Sequence, residues 1–276
     1  MVSQFLVFLL TDITADKVKG AANNPKPIID CFTRLSLFVK AFDESQSKEL
    51  LTNLFLQVFP IIESLASQCG SDQFLMDSMS IFVRNTVAFN GFCLDNHVEA
   101  LVKFVIFSFR LYQNPELLNL ARFITREFMK RDHGSLITQM IAEISQIITT
   151  QLGYSVQSSN NSTIWERYFH LMSCYLEVCP LHQIQSALVF KAIECSLHLI
   201  SFRDSNLQRE IFVFLKISFE ENLMQACMSQ MTSILDQLII QIFNGFAFVY
   251  ARFLMSPISD LFLRYFVINC KILQVQ

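Results

Sequence analysis

A chain of 276 residues with 52% hydrophobic and only 16% charged residues must bury most of its apolar surface, which excludes extended disorder. Six glycines and six prolines are too few for the close-spaced turns of a β-sandwich or barrel, so long helices are expected. A net charge of −3 lacks the basic excess of a nucleic-acid-binding surface.

The opening run MVSQFLVFLL is apolar, but it has no basic segment before it and is cut short by Thr11-Asp12, so it reads poorly as a signal peptide. Residues 1–10 and 27–41 are expected to form the remnant of a helix pair joined by the polar loop 11–26. From residue 48 onward, apolar residues recur at steps of three and four. Within 71–90 the stripe is Phe74, Leu75, Met79, Phe82, Val83 and Thr86. Within 95–112 it is Val98, Leu101, Val102, Val105, Ile106 and Phe109, and within 181–200 Ile184, Leu188, Ala192, Cys195 and Leu199. Short breaks separate the stripes. Asn114-Pro115 starts a helix, with Asn114 as N-cap and Pro115 in the first helical position.

These breaks pair the predicted helices as 48–68 with 71–90, 95–112 with 115–131, 135–152 with 163–179, 181–200 with 204–219, and 222–250 with 257–272. Residues 153–162 read as a flexible insertion. The first helices of the pairs start at 48, 95, 135, 181 and 222. A two-helix unit repeating every ~40–47 residues has the HEAT/armadillo period. The expected fold is therefore all-α: an α-α superhelix of about six hairpins forming a single continuous solenoid. Both ends of the chain are apolar where a capping repeat would be polar, as expected of a piece of a longer array or of ends covered by a partner.

A mean hydropathy of +0.39 raises a membrane reading. The longest apolar run without a charge is 237–251, shorter than the ~20 residues a spanning helix needs, and it carries Gln241, Asn244 and Gly245. A polytopic membrane protein stays open as an alternative. Eight scattered cysteines (31, 69, 93, 174, 179, 195, 227 and 270) read as reduced core thiols of an intracellular protein.

No Gly-rich phosphate loop, nucleophile elbow or zinc-protease helix is present, so no catalytic residue, metal ligand or cofactor is assigned and the chain is expected not to be an enzyme. The set His170, Cys174, Cys179 and His182 offers zinc-type ligands, but its spacing fits no familiar zinc motif, and buried structural thiols are the preferred reading. Cys195-x-x-His198 is weaker still. The acidic pairs Asp43-Glu44 and Glu220-Glu221 read as solvated helix edges, and the sequons at Asn160 and Asn161 as a polar loop. One charge pattern suggests a surface. Arg122, Arg126 and Lys130 recur every four residues with Arg131 beside them, and like charges so spaced repel on an isolated helix. Such a stripe suits an acidic partner.

Five segments then carry a family resemblance: LFLQVFPIIESLASQ (54–68), SIFVRNTVAF (80–89), HVEALVKFVIFSFRLYQNPELLNLARFITREF (97–128), IWERYFHLMSCYLEVCP (164–180) and ALVFKAIECSLHLISFRDSNLQREIFVFLKI (187–217). Over residues 25–270 the chain resembles the C-terminal half of importin-β-type nuclear transport receptors, in the importin-13 and transportin-SR branch. The resemblance implies a HEAT-repeat arch that binds protein cargo, contacts nuclear pore proteins and moves between cytoplasm and nucleus. It also implies a cycle with the GTPase Ran, which the family binds mainly through N-terminal repeats outside the matched part. Transportin-SR has an arginine-rich helix where this chain reads LMDSMSIFVRNTVAF (75–89), and Arg84 alone matches an arginine there. One guanidinium cannot supply the bidentate phosphate contacts of Arg-Ser recognition, so the importin-13-like reading is preferred. The cargo-binding candidates are Arg122, Arg126, Lys130 and Arg84. A HEAT scaffold without a Ran cycle is the remaining alternative.

Overall fold

The computed structural model describes residues 20–21, 23–41, 48–154, 159–219 and 240. Every regular element among them is helical. The expected helices at 1–10, 222–250 and 257–272 lie outside the described residues, residue 240 apart, as do Asp43-Glu44 and Glu220-Glu221. The chain divides into two compact units, Met1–Met140 and Ile141–Gln276.

The first unit contains α1 (Lys26–Ala41), α2 (Lys48–Cys69), α3 (Gln73–Asn90), a 3-10 segment (Gly91–His97), α4 (Val98–Tyr112) and α5 (Pro115–Phe128). Two of these helices start on a side-chain cap. The Asp72 carboxylate accepts the Leu75 N–H at 2.9 Å and caps α3. Asn114 caps α5 by accepting the Glu116 N–H at 2.8 Å, and Pro115, which has no N–H to leave unpaired, follows it. Gln113 turns the chain between α4 and α5 in the left-handed region, at φ 48°.

Packing then builds two layers. α1 packs on α3 and α3 on α5, while α2 pairs with α3, α4 with α5, and α2 meets α4 on the other side. The core between them is aromatic. Phe32 meets Phe82 at 6.0 Å between centroids, Phe55 stacks on Phe59 at 4.8 Å, and the Phe104 ring approaches Phe59 edge-on at 5.7 Å. Two stripe positions depart from expectation. Phe74 is 74% exposed, because it lies one position off the buried row Leu75, Met79, Phe82 and Val83. Ile106 is half-buried, since the inward row of α4 runs through Phe104, Val105 and Phe109.

Over Glu49–Cys69, α2 is long and apolar enough by length and composition to cross a membrane. Here it buries Leu51, Leu54, Phe55, Val58, Ile62 and Leu65 and exposes Glu49, Asn53, Gln57, Glu63, Ser67 and Gln68. Lipid would have to solvate that polar face. Pro60 sits on the exposed side, and its missing N–H leaves the Leu56 carbonyl without its helical partner. At the end of α2 the Tyr112 hydroxyl donates to the Ala66 carbonyl at 2.7 Å, and the ring and that carbonyl oxygen together fill the space where a Gly70 side chain would stand.

α6 (Gly134–Ile147) contains the division between the units and runs into a π-helical turn, Ile148–Leu152. The Thr149 and Thr150 hydroxyls donate back to the Ser145 and Gln146 carbonyls at 2.9 and 2.7 Å, and such back-bonding opens a helical turn. Gly153, at φ +55°, ends it. The second unit continues with α7 (Ser159–Val178), a 3-10 turn (Leu181–Gln183), α8 (Ser186–Leu199) and α9 (Ser205–Ser218). α7 thus begins inside the expected 153–162 loop, and Ile184 precedes α8 rather than lying on it.

α7 packs chiefly on α9. Trp165, Tyr168 and Phe169 of α7 are fully buried, and Phe169 meets Phe214 of α9 at 5.6 Å. Buried Tyr168 keeps its hydroxyl satisfied by donating to Ser145 Oγ at 3.1 Å. Asp204 caps α9 through the Asn206 and Leu207 N–H groups and accepts the Ser162 hydroxyl of α7. Burial alone would raise the Asp204 pKa, but these hydrogen bonds outweigh it and hold the carboxyl below the usual range.

Two stability results follow. Gly70→Ala drives a methyl group against both the Tyr112 ring and the Ala66 carbonyl oxygen and costs about 1–3 kcal/mol in urea denaturation; adding Tyr112→Ala relieves the ring clash but not the backbone one, so the pair loses less than the sum of the two. The Asp204 contribution is present above the unfolded-state pKa of about 3.9 and is lost as pH falls through the lower folded-state value. Asp204→Asn therefore flattens the acid limb of the stability–pH curve.

Candidate protein-binding face on α3 and α5

The α3–α5 contact is tied by two polar links. The Asn114 side-chain amide donates to Asp77 Oδ1 at 2.7 Å. Arg84 of α3 donates to Glu116 Oε2 of α5 at 3.0 Å, and the second Glu116 oxygen accepts from Asn119 at 2.9 Å. Phe123 lies beyond this pair. The Arg84 and Arg122 guanidinium carbons lie 5.7 and 4.9 Å from the centre of its ring, within cation–π range. Glu116, Asn119, Phe123 and Arg126 therefore follow one another along α5 at steps of three and four, with Arg84 reaching in from α3.

The four sequence-derived candidates occupy different settings. Arg84 and Arg122 converge on Phe123. Arg126 is exposed on the next turn. Lys130 is exposed but does not continue the helix. α5 ends at Phe128, the Arg131 N–H bonds back to the Phe128 carbonyl, and Lys130 lies in the resulting turn. Arg131 has a structural role. It donates to Asp95 Oδ1 at 2.8 Å and to the Gly91 carbonyl at 3.2 Å while lying on the Phe128 ring, tying the end of α5 to the 3-10 segment. Phe123 and Glu116 were not legible as members of the site. The ion pair spans 32 residues of sequence, and no local spacing signals it.

The other candidate chemistries do not assemble. Among the described residues no group of three or more His, Cys, Asp or Glu side chains can hold a metal, so His170, Cys174, Cys179 and His182 do not converge. α7 stops at Val178, extended Pro180 redirects the chain, and His182 is left exposed. Cys195 is fully buried, and desolvation pushes its thiol up to about 12, against the lowering effect of nearby Lys191. A nucleophilic cysteine needs the opposite shift. His198 stacks on Tyr154 at 4.1 Å. Cys31, Cys69, Cys174 and Cys179 are also buried in thiol form. The chain matches no protein-family model and no curated protein.

The electrostatics of the face are polarised. Burial, then Glu116 and Asp72, push the Asp77 carboxyl above its ordinary range, against the Asn114 hydrogen bond. Ionising Asp77 therefore costs stability: the cost grows from about pH 3.9 upward and is present in full above the raised folded-state pKa. Asp77→Asn keeps an acceptor for Asn114. It is expected to stabilise the protein at pH 7 and to lose that advantage below pH 4, read as thermal midpoints across the pH range.

Proposed function

We propose that the chain is a cargo-binding part of an importin-13-like nuclear transport receptor, in which the second helices of HEAT-like pairs form the surface that grips protein partners. The observation that supports this is the layered stacking in the first unit. Second helices α1, α3 and α5 line up on one side, and first helices α2 and α4 on the other. Pair-on-pair stacking exposes a row of like-oriented helices, which suits binding through many dispersed contacts. On this reading the pairs continue as one α-α superhelix, the partners are protein cargo, nuclear pore proteins and Ran, and the protein works in both cytoplasm and nucleus without catalysis.

The test is affinity purification of the gene product carrying this sequence, with and without Ran loaded with GTP. Cargo partners that change with Ran·GTP are expected. A partner set indifferent to Ran would overturn the transport reading and leave a HEAT scaffold of another kind. The length and hydropathy of α2 keep the membrane alternative in the same test. Recovery from lysed cells without detergent is expected, and partition into detergent extracts alone would favour a polytopic membrane protein.

A further inference from the structure

We propose that the α5 end of this face seats an acidic peptide segment, with Arg84 and Arg126 taking its carboxylates and Phe123 forming the floor. The proposal rests on the reading of the second-helix layer as a protein-binding surface and adds the chemistry of the bound segment.

The geometry points to carboxylates. A guanidinium has five N–H donors, and Arg84 uses one on Glu116. Its side chain remains 22% exposed and is held in place by that ion pair and by the Phe123 ring. A cation fixed in this way loses little rotamer freedom when a second anion arrives. Arg126 and Lys130 are exposed and form no ion pair among the described residues. The partial negative charge at the end of α5 accounts for cations in that position. It does not account for two further guanidiniums gathered on Phe123 from two different helices.

The acidic groups of the face select the kind of anion. Asp72, Asp77 and Glu116 lie toward the start of α5, close enough for Asp72 and Glu116 to raise the Asp77 pKa. A nucleic-acid backbone, negative at every step, would run from the cations into these carboxylates. A peptide does not have to. Its acidic residues can lie over Arg84 and Arg126 while a neutral or basic flank passes Asp77.

The experiment uses the full chain and a fluorescein-labelled peptide of four glutamates followed by a Gly-Ser flank, with fluorescence anisotropy as the readout and an oligothymidylate of equal charge as the comparison probe. Salt-sensitive peptide binding is expected, with the oligonucleotide weaker. Arg126→Glu is expected to weaken the peptide by roughly tenfold. Lys103→Glu makes the same charge change on the exposed side of α4 and is expected to have little effect. Arg126→Gln provides the reading if the reversal lowers the thermal midpoint. Absence of peptide binding, equal loss in the Arg126 and Lys103 variants, or tighter binding of the oligonucleotide would each overturn the proposal. If the peptide binds here but cellular partners ignore Ran, the transport reading fails and the site stands. If Ran-sensitive cargo binds the Arg126→Glu protein normally, the site fails and the transport reading stands.

Discussion

Burial of α3 against three neighbours is the constraint on which the first unit depends. Leu75, Met76, Met79, Phe82, Val83 and Val87 are removed from solvent between α1, α2 and α5. At ~1.5–3 kcal/mol for each large apolar side chain, this contact outweighs any single polar link in the unit. It leaves α3 only a narrow outward strip, with Phe74, Asp77, Ile81 and Arg84 on it. That strip and its counterpart on α5 are what the second-helix layer presents to solvent.

The polar groups along the strip act as spacers and as register marks. Asn114 serves twice, capping α5 through its oxygen and reaching Asp77 through its amide. Glu116 serves three ways, through its own N–H, through Asn119 and through Arg84. These bonds are partly exposed, so each contributes modestly to stability. Their value lies in position. They set α5 against α3 so that two arginines from different helices share one aromatic ring.

The second unit manages polarity differently. Its core holds Trp165, Tyr168 and Tyr175, side chains with polar tips, and the two tyrosine hydroxyls are met by Ser145 and by the Gln185 N–H. Cys195 lies close enough to Tyr168 and Tyr154 to affect their ionisation, and burial keeps its own thiol protonated. The cysteines that most resembled chemical machinery in the sequence, Cys174, Cys179 and Cys195, are therefore parts of a packed interior, while His182 and His198 are exposed.

The helical class was determined by the sequence alone, because a period of 3.6 and local caps such as Asp72, Asn114 and Asp204 act within a few residues, whereas in the second unit α7 packs chiefly on α9 and not on the helix before it. Errors clustered where a local pattern had two solutions. Phe74 fits the apolar stripe of α3 but falls one position outside the buried row, and Lys130 continues a four-residue repeat past the end of its helix. The tertiary structure alone decided which charges are neutralised. Arg131 was claimed by Asp95, Arg84 was held by Glu116 above Phe123, and Arg126 was left exposed. Those assignments depend on which helices stack. Stacking brings together residues more than thirty positions apart, where sequence periodicity carries no information about distance.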